Sequence, residues 1–144
     1  MRILLLNGPN LNMLGKRDAT HYGSFTLSDV ERRVTEEAAA LGIEVDCFQS
    51  NHEGALIDVI QLASQTVQGI VFNPGAYTHY SYAIRDAIDA CGIPVLEVHI
   101  SDIHSREDFR RISVIEPVCV AQIAGRGIMS YVDGVKKLGE IFNG

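Results

Sequence analysis

Short apolar runs alternate along this chain with segments of helical periodicity, and this alternation constrains the fold more than any other feature. The first run, Ile3 to Leu6, contains no polar residue, which is typical of a strand buried on both faces of a parallel sheet. Four further runs predict strands over residues 43–48, 69–72, 95–100 and 118–123. The pattern therefore predicts five strands, separated in most cases by a helix.

The segments between the predicted strands have the spacing of amphipathic helices. Apolar residues recur at helical intervals from Val30 to Leu41, after a capping-box pattern at Ser28–Glu31, and Gly42 is predicted to end this helix. Similar stripes predict helices within 56–63, 80–91 and 128–142. Strands that alternate with helices form a parallel sheet covered on both faces. We therefore predict one α/β domain over residues 1–144, a flavodoxin-like three-layer sandwich whose five-stranded parallel sheet has the order 2-1-3-4-5.

Charge and hydropathy exclude several classes of protein. The net charge is -6 at pH 7 over 144 residues, which argues against nucleic acid or an anionic membrane as the main partner. No apolar run approaches the ~18 residues that a membrane span needs. The N-terminal run is too short for a signal peptide and lacks a cleavage pattern. We therefore expect a cytoplasmic protein with a small-molecule partner.

The cysteine pattern predicts neither a disulfide framework nor a metal site. Cys47, Cys91 and Cys119 are odd in number and widely spaced. Each lies in an apolar or helical stretch, so each is expected to be a buried thiol. His99 and His104 lack helical spacing within a predicted helix, and no carboxylate pattern completes a set of metal ligands.

Polar residues follow the predicted strands, where ligands bind in open α/β sheets. The amide, hydroxyl and imidazole groups of this set are Asn7, Asn10, Gln49, Ser50, Asn51, Asn73, His79, His99 and Ser101. They suit a neutral, polyol-like ligand, and no glycine-rich phosphate loop follows the first strand. Each also has a simpler interpretation, since Asn10 and Asn73 have the form of turn or cap residues and His99 that of a core histidine.

Two long polar connections are candidates for function. The first places Arg17 and Tyr22 between Gly15 and Gly23, so that residues of about 15–24 are predicted to form a mobile lid. A neighbouring arginine favours the phenolate form of tyrosine, which makes Tyr22 a candidate general base. In the second connection Arg110 could hold a carboxylate. The alternatives are that Tyr22 only packs and that both arginines are solvated cations.

Five motifs in register resemble the type II 3-dehydroquinate dehydratase family over nearly the whole chain. They are Asn7-Gly8-Pro9-Asn10-Leu11-Asn12 with Leu14-Gly15, Arg17 and Tyr22-Gly23; Gln49-Ser50-Asn51 with Glu53-Gly54; Asn73-Pro74-Gly75-Ala76-Tyr77-Thr78-His79 with Ser81; Glu97-Val98-His99-Ile100-Ser101; and Arg106-Glu107 with Phe109-Arg110. The resemblance implies a flavodoxin-like lyase that converts 3-dehydroquinate to 3-dehydroshikimate in aromatic amino-acid biosynthesis. It also implies no metal or organic cofactor, and a dodecamer built from four trimers.

The resemblance further implies a role for each matching residue. Tyr22 would take the proton next to the ketone, and Arg17 would keep Tyr22 deprotonated. Asn10 would hold a water on the enolate oxygen, and His99, steadied by Glu97, would protonate the leaving hydroxyl. The implied substrate-binding residues are Asn73, His79, Asp86, Ile100, Ser101 and Arg110.

One departure and one rival interpretation accompany this resemblance. The family's lid often has proline where this chain has Ala19, and alanine leaves the backbone freer, so the open lid is expected to be more disordered. The rival is a flavodoxin-like ligand-binding domain without catalytic activity. Receiver-type and flavin-binding versions lack support, because no acidic cluster and no phosphate-binding loop follow the first strand.

Overall fold

The computed structural model describes residues 1–16 and 24–144. Within them lie the strands β1 Arg2–Asn7, β2 Glu44–Gln49, β3 Gly69–Asn73, β4 Val95–His99 and β5 Ala121–Ala124, and the helices α1 Leu27–Ala39, α2 Glu53–Ala63, α3 Tyr82–Cys91 and α4 Ile128–Asn143. The strands form one parallel sheet of order β2-β1-β3-β4-β5. The predicted fold class and strand order are confirmed.

Helices cover both faces of the sheet, because side chains of successive strand residues point in opposite directions. On β1, Ile3 and Leu5 pack with residues of α1 and α4, whereas Leu4 and Leu6 pack with residues of α2 and α3. All four side chains are buried. The result is the predicted arrangement of three layers with an apolar core on each side of the sheet.

The register places the ends of the strands at one level. Asn7, the last residue of β1, pairs with Gln49 of β2 on one side and with Asn73 of β3 on the other. His99, the last residue of β4, pairs with Ala124 of β5. Polar residues that are far apart in sequence therefore meet along one edge of the sheet.

The start of α1 differs from its prediction. The N-cap is Thr26, whose Oγ1 accepts a hydrogen bond from the Asp29 nitrogen at 3.1 Å, while Asp29 Oδ2 accepts from the Thr26 nitrogen at 2.9 Å. An aspartate thus closes the capping box, and the predicted box at Ser28–Glu31 is wrong. The helix ends at Ala39, before the left-handed Gly42.

Two further expectations are corrected. The predicted fifth strand began at Val118, but Glu116–Val118 is a 3-10 turn with proline inside it, and pairing along β5 begins only at Ala121. Cys47 is exposed, contrary to the expected buried thiol, because β2 is an edge strand whose side chains are mostly uncovered. Cys91 and Cys119 are half-buried. Among the described residues, no helix has the length and apolar character needed to cross a membrane.

Candidate active site

A pocket opens at the carboxyl edge of the sheet, above β1, β3 and β4. Its lining residues are Pro9, Asn10, Leu11, Asn73, Gly75, Ala76, His79, His99, Ile100, Ser101, Ile103, Arg106 and Arg110. Seven of the residues predicted as site residues are therefore brought together: Asn10, Asn73, His79, His99, Ile100, Ser101 and Arg110. This is the position at which open parallel sheets bind ligands.

The loop after β1 presents Asn10 in an unusual backbone conformation. Asn10 has a φ of 69°, in the left-handed region that asparagine tolerates better than most residues. Its backbone nitrogen donates to Asn51 Oδ1 at 2.9 Å. The Gln49 amide nitrogen donates to the same oxygen at 3.2 Å and to the Gly8 carbonyl at 3.1 Å. The end of β2 therefore holds this loop in place.

Asn73 is held from beneath the pocket by a buried phenol. Its Nδ2 donates to the Tyr131 hydroxyl at 2.8 Å, and its Oδ1 accepts from the Gly75 nitrogen at 3.0 Å. The Tyr131 hydroxyl in turn donates to Asn7 Oδ1 at 2.7 Å. Tyr131 is fully buried on α4, and burial raises the pKa of its hydroxyl far above the ordinary value, so it remains protonated.

Glu97 and His99 form a buried acid–imidazole pair on β4. The two side chains point to the same face of the sheet because they are two residues apart. His99 Nε2 lies 2.5 Å from Glu97 Oε2. Glu97 also accepts hydrogen bonds from the hydroxyls of Thr78 and Ser113. Burial acts to raise the pKa of Glu97, but the bonds from His99, Thr78 and Ser113 outweigh it and the pKa lies below its ordinary value.

His79 is oriented by a backbone carbonyl. Its Nδ1 lies 2.7 Å from the Ile112 oxygen, and because a carbonyl only accepts, Nδ1 carries the proton. Burial chiefly, with positive charge on His99 and Arg110, lowers the pKa of His79. The ring is therefore neutral at pH 7, and its Nε2 can accept a hydrogen bond from a ligand.

Two arginines bring positive charge to the pocket of this acidic protein. Arg110 donates from Nε to Glu107 Oε2 at 2.6 Å, and its guanidinium carbon lies 4.7 Å from the centre of the Phe109 ring. The terminal nitrogens of its guanidinium are not used in that bond. Arg106 lines the same pocket, with Nη1 3.4 Å from Ser101 Oγ. A bidentate anchor for a carboxylate is thus available.

Four residues predicted as site residues do not line the pocket that the structure describes. One is Glu97, which is buried behind His99 and contacts the pocket through that ring. Tyr22 and Arg17 lie outside the described residues, as does most of the predicted lid. Asp86 is described, and it lies exposed on α3 rather than among the lining residues. Among the described residues, no group of three or more His, Cys, Asp and Glu side chains is placed to hold a metal ion.

Sequence reasoning missed several residues that support the site. Arg106 and Thr78 stood inside recognised motifs without an assigned role. Tyr131 and Ser113 carried no signal, because their partners lie 58 and 16 residues away. Only the polar character of Asn51 at a strand end indicated its part in holding the Asn10 loop.

The pocket and sheet together define an α/β protein equipped for acid–base chemistry on a small anionic molecule. The family described as dehydroquinase class II matches residues 1–139, and the chain belongs to this family. A 3-dehydroquinate dehydratase of Pelotomaculum thermopropionicum is 53% identical over 132 residues, which are 92% of this chain and 92% of the relative. One from Bacillus cereus is 56% identical over 130 residues, 90% of this chain and 89% of the relative.

Solved structures give the same assignment. A type II dehydroquinase from Butyrivibrio crossotus has a TM-score of 0.94 at 51% identity, covering 96% of this chain and 97% of that chain. A second, from Propionibacterium acnes, has a TM-score of 0.93 at 38% identity and covers 96% of each chain.

Proposed function

We propose that this protein removes water from 3-dehydroquinate to give 3-dehydroshikimate, by anti elimination through an enolate intermediate, in the shikimate pathway. The observation that carries the proposal is one pocket that holds the carboxylate-backed imidazole of His99 together with the guanidinium of Arg110. Membership of the dehydroquinase family supports the same reaction. The protein is then a hydro-lyase of type II.

Loss of a hydroxyl β to a ketone requires a base for the α-proton, a group that stabilises the enolate and an acid for the leaving oxygen. His99 suits the acid in its imidazolium form: Nε2–H donates to Glu97, and the second proton, on Nδ1, passes to the leaving hydroxyl, which leaves as water while the ring becomes neutral. Asn10 suits the stabilisation of the enolate, because its side-chain amide could hold a water against the enolate oxygen. Both residues line the pocket.

The remaining pocket groups suit a carboxylated, hydroxylated ring. Arg110 is proposed to bind the carboxylate, and neutral His79 to accept from a ring hydroxyl. Asn73 and the Ile100–Ser101 pair complete the binding set on the floor of the pocket.

Tyr22 is proposed as the base that removes the α-proton, with Arg17 favouring its phenolate form. The lid at about 15–24 is predicted from the glycines that flank it, and the two roles from the pairing of Arg17 with Tyr22 and from the resemblance; all three stay predictions. They complete the chemistry that the described pocket leaves open, since an acid and an anion anchor alone do not remove a proton from carbon.

The competing chemical route to the same product uses a lysine Schiff base. The chain has three lysines, Lys16, Lys136 and Lys137, and none of them lines the pocket. Proton transfer by side chains is therefore favoured, and the reaction is proposed to need neither metal nor organic cofactor.

We also propose a dodecamer of four trimers. Large apolar side chains are exposed within three residues of the pocket residues His79 and Arg110 along the chain, namely Tyr80, Tyr82, Phe109 and Ile112. Asp86 is also exposed, and it lies on α3 four residues after Tyr82. We propose that a neighbouring subunit covers this surface and that Asp86 contacts the substrate bound to that subunit. Asp86 could then bind substrate although it does not line the pocket of its own chain.

The assay for activity adds 3-dehydroquinate to the purified protein with EDTA and follows the ultraviolet absorbance of the conjugated enone. Formation of 3-dehydroshikimate, and a loss of at least about 100-fold in kcat for His99→Ala, are expected. Tyr22→Phe should abolish turnover while substrate still binds. Binding without turnover in the wild-type protein would instead favour the non-catalytic ligand-binding domain, and inactivation by borohydride with substrate would favour the Schiff base.

The assay for assembly measures mass by light scattering, with twelve times the 15.8 kDa chain expected. Mixing refolded His99→Ala and Asp86→Asn subunits should restore activity if Asp86 serves a neighbouring site. A monomer that is fully active would contradict the assembly and the shared site together.

A further inference from the structure

The Glu97 carboxylate is the centre of a hydrogen-bond cluster. Two of its members, Thr78 and Ser113, have no part in the dehydration as proposed above. The Glu97 side chain is fully buried, yet both carboxylate oxygens accept hydrogen bonds. Thr78 Oγ1 and His99 Nε2 each lie 2.5 Å from Oε2. Ser113 Oγ lies 2.9 Å from each of the two oxygens.

The donors come from three separate parts of the chain that converge on this carboxylate. His99 is on β4 itself, and Thr78 lies on the 3-10 turn Gly75–His79 after β3. Ser113 lies in the long connection between β4 and β5. The Val114 nitrogen donates to the Thr78 carbonyl at 2.8 Å, which aligns the two segments so that their hydroxyls meet at 3.2 Å.

A buried carboxylate needs such donors to remain ionised, since burial alone favours its neutral form. An ionised carboxylate can only accept, so the proton between it and His99 belongs to Nε2. This fixes the orientation of the ring and directs Nδ1 away from Glu97. Groups that orient a metal-ligating imidazole act in the same way, and their loss typically costs 10–100-fold in metal affinity or activity. We expect a loss at the lower end of this range for an imidazole that transfers a proton.

The segment that carries Ser113 also contacts the second histidine of the pocket. The Ile112 carbonyl accepts from His79 Nδ1 at 2.7 Å, one residue before Ser113 bonds to Glu97. Residues 112 and 113 therefore orient both pocket histidines from one short stretch. The same connection supplies Arg106 and Arg110 to the pocket.

We propose that Thr78 and Ser113 are positioning residues for the dehydration: their hydroxyls hold the Glu97 carboxylate so that it orients the acid His99. This proposal rests on the proposed function for its kinetic consequence, but its structural consequence for His99 is independent of turnover.

Among the described residues, the other ionisable groups around the cluster include His79 and Arg110 at the pocket and Cys119, whose thiol pKa the Glu97 charge helps to raise. Two more contact the segment of Ser113: the Glu116 nitrogen donates to Ser113 Oγ at 3.1 Å, and Arg85 Nη1 donates to the Val114 carbonyl at 3.2 Å.

Matched variants separate the effect of losing a hydroxyl from the effect of changing the side-chain volume. Thr78→Val and Ser113→Ala remove a hydroxyl, whereas Thr78→Ser and Ser113→Thr retain it. We expect kcat to fall about tenfold in the first pair, with KM changed less than about twofold, and to stay within about threefold of wild type in the second pair. Equal losses in both pairs, or an unchanged kcat in the first, would overturn the proposal.

A double-mutant cycle with Glu97→Gln tests whether the hydroxyls act through that carboxylate. If they do, adding Ser113→Ala to Glu97→Gln should lower kcat by less than about twofold further. Fully multiplicative losses would show that Ser113 acts elsewhere, and would overturn the proposal.

NMR of the substrate-free protein gives a readout that does not depend on activity. The proton on His99 Nε2 should give a downfield, slowly exchanging signal in the wild type, in Ser113→Thr and in Thr78→Ser. It should exchange faster and move upfield in Ser113→Ala and Thr78→Val. An identical signal in all five proteins would overturn the proposal, whereas a wild-type protein with this signal but no dehydratase activity would overturn only the proposed function.

Thermal unfolding checks that each variant compared is folded. If Ser113→Ala does not fold, Thr78→Val, which keeps the side-chain volume, tests the same proposal through its kcat and its His99 signal.

Discussion

The hydroxyl of Tyr131 lies 2.8 Å from the side-chain nitrogen of Asn73, so that helix α4 contacts the floor of the pocket through one buried phenol. The same hydroxyl donates to Asn7 Oδ1 at 2.7 Å. It therefore joins the ends of β1 and β3 to the helix that packs across them. The orientation of the Asn73 amide is set by a residue that does not line the pocket.

Replacing this phenol is expected to affect both stability and substrate binding. Tyr131→Phe leaves Asn73 Nδ2 and Asn7 Oδ1 without the Tyr131 hydroxyl, and loss of a buried partner costs about 1–3 kcal/mol. We expect the free energy of unfolding to fall by that amount in urea denaturation and KM to rise severalfold. The control is Thr66→Val, which removes an exposed hydroxyl away from the pocket, and there we expect a change within about 0.5 kcal/mol. Equal effects in the two variants would contradict the interpretation.

Gly8 is required by the close approach of two loops at the pocket. A Cβ at this position would lie 2.5 Å from the Pro74 carbonyl oxygen, and backbone cannot move aside cheaply. Gly8→Ala is expected to lower the free energy of unfolding by about 1–3 kcal/mol, as overpacking usually does. The control is Gly54→Ala on α2, where a Cβ meets nothing within 4 Å and alanine favours the helix. A stable Gly8→Ala protein with full activity would show that the loops can separate.

Asn51 is expected to act on catalysis through the backbone of Asn10. Its Oδ1 accepts from the Asn10 nitrogen at 2.9 Å and from Gln49 Nε2 at 3.2 Å, so both partners need only an acceptor. Asn51→Ala should lower kcat severalfold, because the left-handed turn at Asn10 loses a hydrogen bond worth about 1 kcal/mol. Asn51→Asp keeps an acceptor and should retain most of the activity. Steady-state kinetics of the two variants check this, and equal losses would count against an acceptor role.

Glu97 is expected to make stability depend on pH. Its folded pKa lies below the ordinary value of 4.5, so the unfolded chain takes up a proton at higher pH than the folded one. The contribution of the ionised carboxylate is therefore complete above about pH 4.5 and is lost as the pH falls through the lower, folded pKa. The difference in unfolding free energy between wild type and Glu97→Gln should be largest near pH 7 and should shrink below pH 4.5.

The control for this pH series is Glu36→Gln, since Glu36 is exposed on α1. Chemical denaturation between pH 3 and 7 measures the free energy of unfolding. We expect Glu36→Gln to differ little from wild type in this quantity at every pH. A Glu97→Gln difference that is constant with pH would contradict the ionised state of the buried carboxylate.

Much of the fold could be predicted because its signals are local. The run Ile3–Leu6 is apolar throughout and becomes a strand buried on both faces, while the stripe at Val30, Val34 and Ala38 becomes the buried side of α1. The errors occurred where a local pattern had two interpretations. Val118 is apolar and β-branched, yet Pro117 and the 3-10 turn delay β5. Cys47 lies in a predicted strand that Glu44 and Asp46 interrupt, and this strand proves to be an uncovered edge.

The sequence by itself determined which chemical groups stand at the strand ends, since Asn10, Asn73 and His99 follow or end apolar runs and the ends of parallel strands share one edge. Only the tertiary structure decided how those groups are held. Thr78 and Ser113 reach Glu97 from 19 and 16 residues away, and Tyr131 reaches Asn73 from 58. Such bonds depend on the packing of loops and helices over the sheet, which no local periodicity encodes.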